Sequence, residues 1–256
     1  MKSNLTPSVC IDAVFEGKSF DEACAAVKES GIPAIEFWGW WDKNLDELQA
    51  AQKANHLEIS ACCTKFISLV DPATREEYLS GLRDSIEAAK RLGTSTLISQ
   101  VGDFRDGVSR DDQEESLIAG LKGAAPMLEE SGVTLVIEPL NELVNHPGYF
   151  LIRSDVAFDI IEEVDSPNVK VVFDIYHQQI SEGNLIQNIV TNIDKIAHFH
   201  AAGNPGRNEL QIGEINYPHV FSAIQQTDYE GYVGLEYWPL AENPVDALSE
   251  VAELLK

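Results

Sequence analysis

Eight short apolar runs recur along the chain, each followed by a loop and an amphipathic segment, with a glycine before several of the next runs. They are "SVCIDA" at 8–13, "AIEFW" at 34–38, "LEISACC" at 57–63, "STLISQV" at 95–101, "TLVIEP" at 134–139, "VKVVFDI" at 169–175, "KIAHFHA" at 195–201 and "YVGLEYW" at 232–238. Nearly continuous runs of this length read as strands buried on both faces, as in a parallel sheet covered by helices. The segments between them carry helix signals. Ser19 with Glu22 has the capping-box spacing, Asn44 with Glu47 is a variant of it, and Tyr78, Leu82 and Ile86 recur at helical spacing. Gly31, Gly93 and Gly132 stand where a helix must stop before the next strand. Pro126 falls inside the fourth helical segment and predicts a local kink. Eight such units in 256 residues have the size and count of a (β/α)8 TIM barrel, with a doubly wound open sheet as the competing α/β architecture. No linker, low-complexity stretch or charge block divides the chain, so one barrel domain over residues 1–256 is expected.

Charge and cysteine content narrow the function. Eighteen basic against 42 acidic residues give a net charge of -24, a surface that repels nucleic-acid phosphates and anionic membranes alike. No run reaches the roughly 18 uninterrupted apolar residues of a membrane span. The stretch "MKSNLTPSVCID" lacks the apolar centre of a secretion signal. Four cysteines, two of them adjacent, do not make a disulfide framework and read as reduced thiols in the cytoplasm.

In a TIM barrel the active site lies at the carboxyl ends of the strands. The last four runs end in Glu138, Asp174, His200 and Glu236, each an ionisable residue closing an apolar stretch. The alternative is four unrelated buried polar residues. Brought together without an obvious supply of basic partners, three carboxylates and an imidazole would repel one another and raise each other's pKa, and a divalent cation resolves that conflict. An oxygen-rich donor set with one nitrogen and no thiolate suits Mn²⁺ or Mg²⁺, with Co²⁺ as a substitute. His198 shares a strand face with His200 and should sit one layer deeper, as a core group or a support for the ligands.

The stretches "VIEPLN" at 136–141, "VFDIYHQQISEGN" at 172–184, "KIAHFHAAGNPGRNEL" at 195–210, "GEINYPHVF" at 213–221 and "YEGYVGLEYWP" at 229–239 resemble the xylose isomerase-like barrel superfamily. Within it the chain resembles the hydroxypyruvate isomerase family along nearly its whole length. The resemblance implies that Glu138, Asp174, His200 and Glu236 ligate the metal, and that Glu138 and Glu236 also form an acid/base pair. It further implies that His177 touches a substrate oxygen and that Arg207 contacts the far end of the substrate. One position departs: hydroxypyruvate isomerases usually carry glutamine where His200 stands, whereas the ketose 3-epimerases of the superfamily carry histidine.

The implied chemistry is simple. A cation that polarises a carbonyl and its neighbouring hydroxyl acidifies the C–H between them and stabilises an enediolate. Two carboxylates flanking that plane can move the proton, giving isomerisation or epimerisation according to the carbon and face of its return. The leading expectation is isomerisation of hydroxypyruvate to tartronate semialdehyde, where Arg207 would bind the carboxylate bidentately; the runner-up is a ketose 3-epimerase. Arg207 as a solvated loop charge and His177 as a turn-capping imidazole are the plainer readings of those two residues. Glu36 ends the second run and Trp38, Trp40 and Trp41 follow it, so Glu36 and Trp38 are expected at the substrate. The same aromatics could serve self-association into a homo-oligomer. Asn141 is a second candidate for supporting the ligands. Phosphodiester hydrolysis is disfavoured by six histidines and the net charge of -24, and a metabolite-binding barrel without catalysis would not need two flanking glutamates.

Overall fold

The structure, a computed structural model, describes residues 5–255. Eight strands, β1 (Thr6–Cys10), β2 (Ala34–Phe37), β3 (Glu58–Cys63), β4 (Thr96–Ser99), β5 (Thr134–Ile137), β6 (Val169–Asp174), β7 (Ile196–Ala201) and β8 (Tyr232–Leu235), close in sequence order into a barrel. Every neighbouring pair is parallel, including β8 with β1. This is the (β/α)8 architecture that eight apolar runs predicted, and closure excludes the open sheet.

Helices begin and end where the local chemistry directs. At Ser19 the hydroxyl accepts from Glu22 N–H while the Glu22 carboxylate accepts from Ser19 N–H, and helix Phe20–Glu29 follows. Asn44 Oδ1 accepts from the amides of Asp46 and Glu47 ahead of helix Leu45–Ala54. Gly93 and Gly132 close the helices Arg75–Leu92 and Arg110–Ser131 in the left-handed conformation, at φ 79° and 72°. The second of these runs continuously through Pro126, so the proline does not end it. The first apolar run is shorter as a strand than expected. It stops at Cys10, because the chain then turns through Ile11–Val14 and brings Asp12 to the Trp38 amide (2.8 Å) and to Lys43 (2.9 Å).

Strand alternation divides the core in two. Leu135 and Ile137 of β5, Val171 and Phe173 of β6, and Val233 and Leu235 of β8 belong to the large core shared with the helices. The residues between them face the other way. Val136 and Val172 join Ala61, Cys63 and Ile98 in a separate small cluster inside the barrel. That inward parity falls on Asp174, the last residue of β6, and, one residue past β5 and β8, on Glu138 and Glu236. Register fixes their level, since Asp174 lies opposite His200 and His200 opposite Gly234. Glu138 N–H and Glu236 N–H still bond the preceding strands, to Ser99 O (3.2 Å) and Ala201 O (3.1 Å), so both carboxylates project from ordered backbone. Among the described residues no helix is long and apolar enough to cross a membrane.

Candidate active site

Glu138, Asp174, His200 and Glu236 converge at the carboxyl end of the barrel. All four are buried, and one donor atom from each lies within 4.8 Å of the others. His200 Nδ1 is 3.2 Å from Glu138 Oε1 and 3.6 Å from Glu236 Oε2. Burial pushes the Glu138 carboxyl above its ordinary range; His200 pulls the other way, while the charges of Glu236 and Asp174 add to the rise. For His200 burial favours the neutral ring, but the carboxylates led by Glu36 and Glu236 outweigh it and hold the imidazole well above its usual range. A compact set of three carboxylates and one ring nitrogen, with its charges in conflict, fits a divalent cation.

One basic group does reach these carboxylates, against the expectation that they lack one. Arg207, only 8% exposed, directs Nη2 onto Glu236 Oε2 and stands 3.8 Å from Asp174 Oδ2. Its guanidinium lies between the rings of Tyr176 and Trp238, 5.3 and 5.2 Å from their centroids. The loop after β7 makes this placement possible. Gly203 bonds Asn208 and Glu214 bonds Asn204 across a turn so close that a Cβ at Gly203 or Gly213 would strike facing backbone carbonyls. Arg207 itself adopts φ 55°, and its carbonyl accepts from Trp238 N–H at 2.9 Å. Arg207 is thus no solvated loop charge, and it sits beside Glu236 rather than remote from the carboxylates.

His177 and Asn141 form one unit. Asn141 Oδ1 accepts from the amides of Val144 and Asn145, which orients its NH₂ toward His177 Nδ1 at 2.6 Å; the Asn141 backbone N–H also points there, at 3.1 Å. With Nδ1 accepting, the proton is assigned to Nε2, which lies 3.6 Å from Asp174 Oδ2 and has no hydrogen-bond partner among the described residues. Burial, with Arg207 nearby, holds this imidazole well below its usual range and so neutral. His177 does cap a turn region, yet it retains a buried N–H donor beside the carboxylates.

A cavity of about 240 Å³ opens over the cluster, walled by Trp38, Glu138, His200, Arg207, Glu236 and Trp238 among others. Trp38 donates its indole N–H to Glu236 Oε1 at 2.6 Å and packs 6.1 Å from Trp238. Trp40 turns away to bond Ser85. Glu36 is not where it was expected. It is 2% exposed and absent from the cavity wall, because its strand position faces into the barrel below the mouth, where both oxygens meet imidazoles. Burial alone would raise its pKa, but His198 and His200 hold it well below the ordinary range. Gln100, Cys63, His146 and Phe66 also reach the cavity and were missed. Gln100 was legible in principle, since it is the first inward position past β4, as Glu138 is past β5.

Fold and site together define a (β/α)8 barrel with a carboxylate–imidazole pocket suited to a divalent cation at the carboxyl ends of its strands. The chain belongs to the xylose isomerase-like TIM barrel family, whose model matches residues 24–256. It is 34% identical over 220 residues to "Hydroxypyruvate isomerase" of Escherichia coli (strain K12), covering 82% of this chain and 84% of that one. It is 30% identical over 240 residues to "2-oxo-tetronate isomerase" of Cupriavidus necator, covering 90% and 92%. Among solved structures, "AP endonuclease, family 2" from Brucella melitensis superposes with a TM-score of 0.91 at 28% identity, over 98% of each chain.

Proposed function

We propose that this chain is a divalent-metal-dependent isomerase of short 2-oxo acids, converting hydroxypyruvate to tartronate semialdehyde through an enediolate. The observation that carries the reading is Arg207, a buried guanidinium 5.3 and 5.2 Å from the ring centroids of Tyr176 and Trp238, on the wall of the cavity that also holds the two candidate proton carriers. A fixed planar cation in such a place selects a carboxylate, which a neutral ketose does not offer. The names of the relatives agree, in that both are isomerases of hydroxypyruvate or a 2-oxo acid.

Glu138, Asp174, His200 and Glu236 would hold the ion, which when bound draws charge from the substrate's carbonyl and hydroxyl oxygens. Glu236, with Trp38 on one oxygen and Arg207 on the other, is positioned to remove the C3 proton. Glu138, whose carboxyl burial biases toward the protonated form, returns a proton to C2. His177 presents Nε2–H to a substrate oxygen, and Trp38 and Trp238 keep water from the reacting carbons. The four free, buried cysteines support a cytoplasmic setting.

The test is proton exchange followed by NMR in D₂O with Mg²⁺-loaded protein and separate samples of hydroxypyruvate, D-fructose and D-tagatose. Deuterium at C3 of hydroxypyruvate with appearance of tartronate semialdehyde is the expected result. Exchange confined to C3 of a ketose would replace this reading with the 3-epimerase, and no exchange in any sample, extended to other 2-oxo acids, would leave a binding barrel.

A further inference from the structure

Below the candidate metal ligands the barrel interior holds a polar network for which the proposed proton transfer has no use. Glu36 Oε2 accepts from Ser60 Oγ at 2.9 Å and faces His198 Nε2 at 3.0 Å; Ser60 Oγ is in turn 2.6 Å from Ser8 Oγ. Glu36 Oε1 lies 2.9 Å from His200 Nε2. β8 makes room for this carboxylate, because a Cβ at Gly234 would collide with it. Five strands therefore build one slot, and its occupant is a buried carboxylate whose near neighbours among the described residues are two imidazoles rather than a lysine or arginine.

His200 is the pivot. Its Nδ1 hydrogen-bonds Glu138 and lies 3.6 Å from Glu236. Its Nε2 stands 2.9 Å from Glu36 Oε1 without the alignment of a hydrogen bond, so that these two buried atoms face each other with no other partner among the described residues. An imidazole ligates a cation through the nitrogen that has lost its proton, so the other nitrogen must keep its own. An ionised carboxylate is an acceptor with no donor. We infer that Glu36 is a positioning residue for His200: it holds the Nε2 proton and the ring plane so that Nδ1 is the nitrogen offered to the cation, with Ser60, His198 and Gly234 fixing Glu36 in turn. This rests on the metal reading given above. Glu36 touches neither substrate nor ion and acts only through His200.

The same three side chains could instead hold a second ion, since donor atoms of Glu36, His198 and His200 also lie within 4.8 Å of one another. The experiment separates the two. Metal-free wild-type, Glu36→Gln and Ser60→Ala proteins are titrated with Mn²⁺ in competition with a fluorescent chelator, and Mn²⁺ per chain is counted. Long-range ¹H–¹⁵N spectra of Mg²⁺-loaded wild-type protein report which nitrogen of His200 carries hydrogen, and need no variant to fold.

Expected are one Mn²⁺ per wild-type chain, a 10- to 100-fold weaker affinity in Glu36→Gln, as for other lost supports of a metal-bound histidine, a smaller loss in Ser60→Ala, and hydrogen on His200 Nε2. Glu36→Gln binding within twofold of wild type, hydrogen on Nδ1, or two Mn²⁺ per chain would each overturn the assignment while leaving the metal centre standing. Failure of the wild type to bind Mn²⁺ would overturn both.

Discussion

Glu138 and Glu236 keep different company, and single substitutions should show it. Glu236 has a tryptophan N–H on one oxygen and a guanidinium on the other, whereas the Glu138 carboxylate, among the described residues, hydrogen-bonds only the His200 imidazole. If the pair transfers the proton, Glu138→Gln and Glu236→Gln should each lower kcat by about 10²–10⁴-fold, measured by the NMR assay with Mn²⁺ or Mg²⁺ saturating. A variant retaining more than about a tenth of wild-type kcat would remove that glutamate from the proton path. The thiols make a separate prediction. Burial raises all four, Cys24 to about 11 and Cys62 to about 12, and the reactive species is the thiolate. Folded protein at pH 8 should therefore resist iodoacetamide, and unfolded protein should take up four equivalents. Single residues were also where sequence reading was most uneven. Glu138, Asp174, His200 and Glu236 could be found because each ends an apolar run, a local pattern. Glu36 shows the same pattern yet lies below the mouth, since the depth of a residue depends on how its strand is staggered against seven others.

Helix ends and strand parity operate at the next scale. The capping box at Ser19 is reciprocal, so Ser19→Ala should cost about 1 kcal/mol, a Tm decrease of roughly 2–4 °C in a chain of this length. An unchanged Tm would mean that the first turn of helix Phe20–Glu29 draws its stability from packing instead. These signals were readable because they are contained within four residues. Strand bounds were less so. The first run continues apolar through Ala13, but the strand ends at Cys10, because Asp12 is needed by Trp38 and Lys43 on the neighbouring β2 loop. The candidate ligands come from β6, β7 and the residues just past β5 and β8, so a bound ion would tie four consecutive strands together. Adding Mn²⁺ at about 100 times its Kd should stabilise the fold by about 2.7 kcal/mol, seen as a rise in Tm that EDTA reverses; a Tm indifferent to both would count against the metal centre.

Across the whole molecule the net charge of -24 dominates. Like charges on one compact body repel, and salt shortens their reach from about 30 Å at 0.01 M to about 8 Å at 0.15 M. Raising NaCl across that range should therefore increase Tm, and a decrease would show that ion pairs such as Lys122–Glu163 outweigh the repulsion. Charge, composition, the eight strand–helix units and the parity that turns four ionisable residues inward are properties of neighbours in the chain, and the amino-acid order alone determined them. Contacts between residues distant in the chain were decided only by closure of the barrel. Glu36 meets His198 from 162 residues away, and Trp38 reaches Glu236 across 198. Arg207 finds Glu236 because a tight glycine-lined loop folds it back over the mouth. Periodicity records which way a side chain faces, but its partner depends on strand stagger and loop path, which are set by packing over the entire barrel.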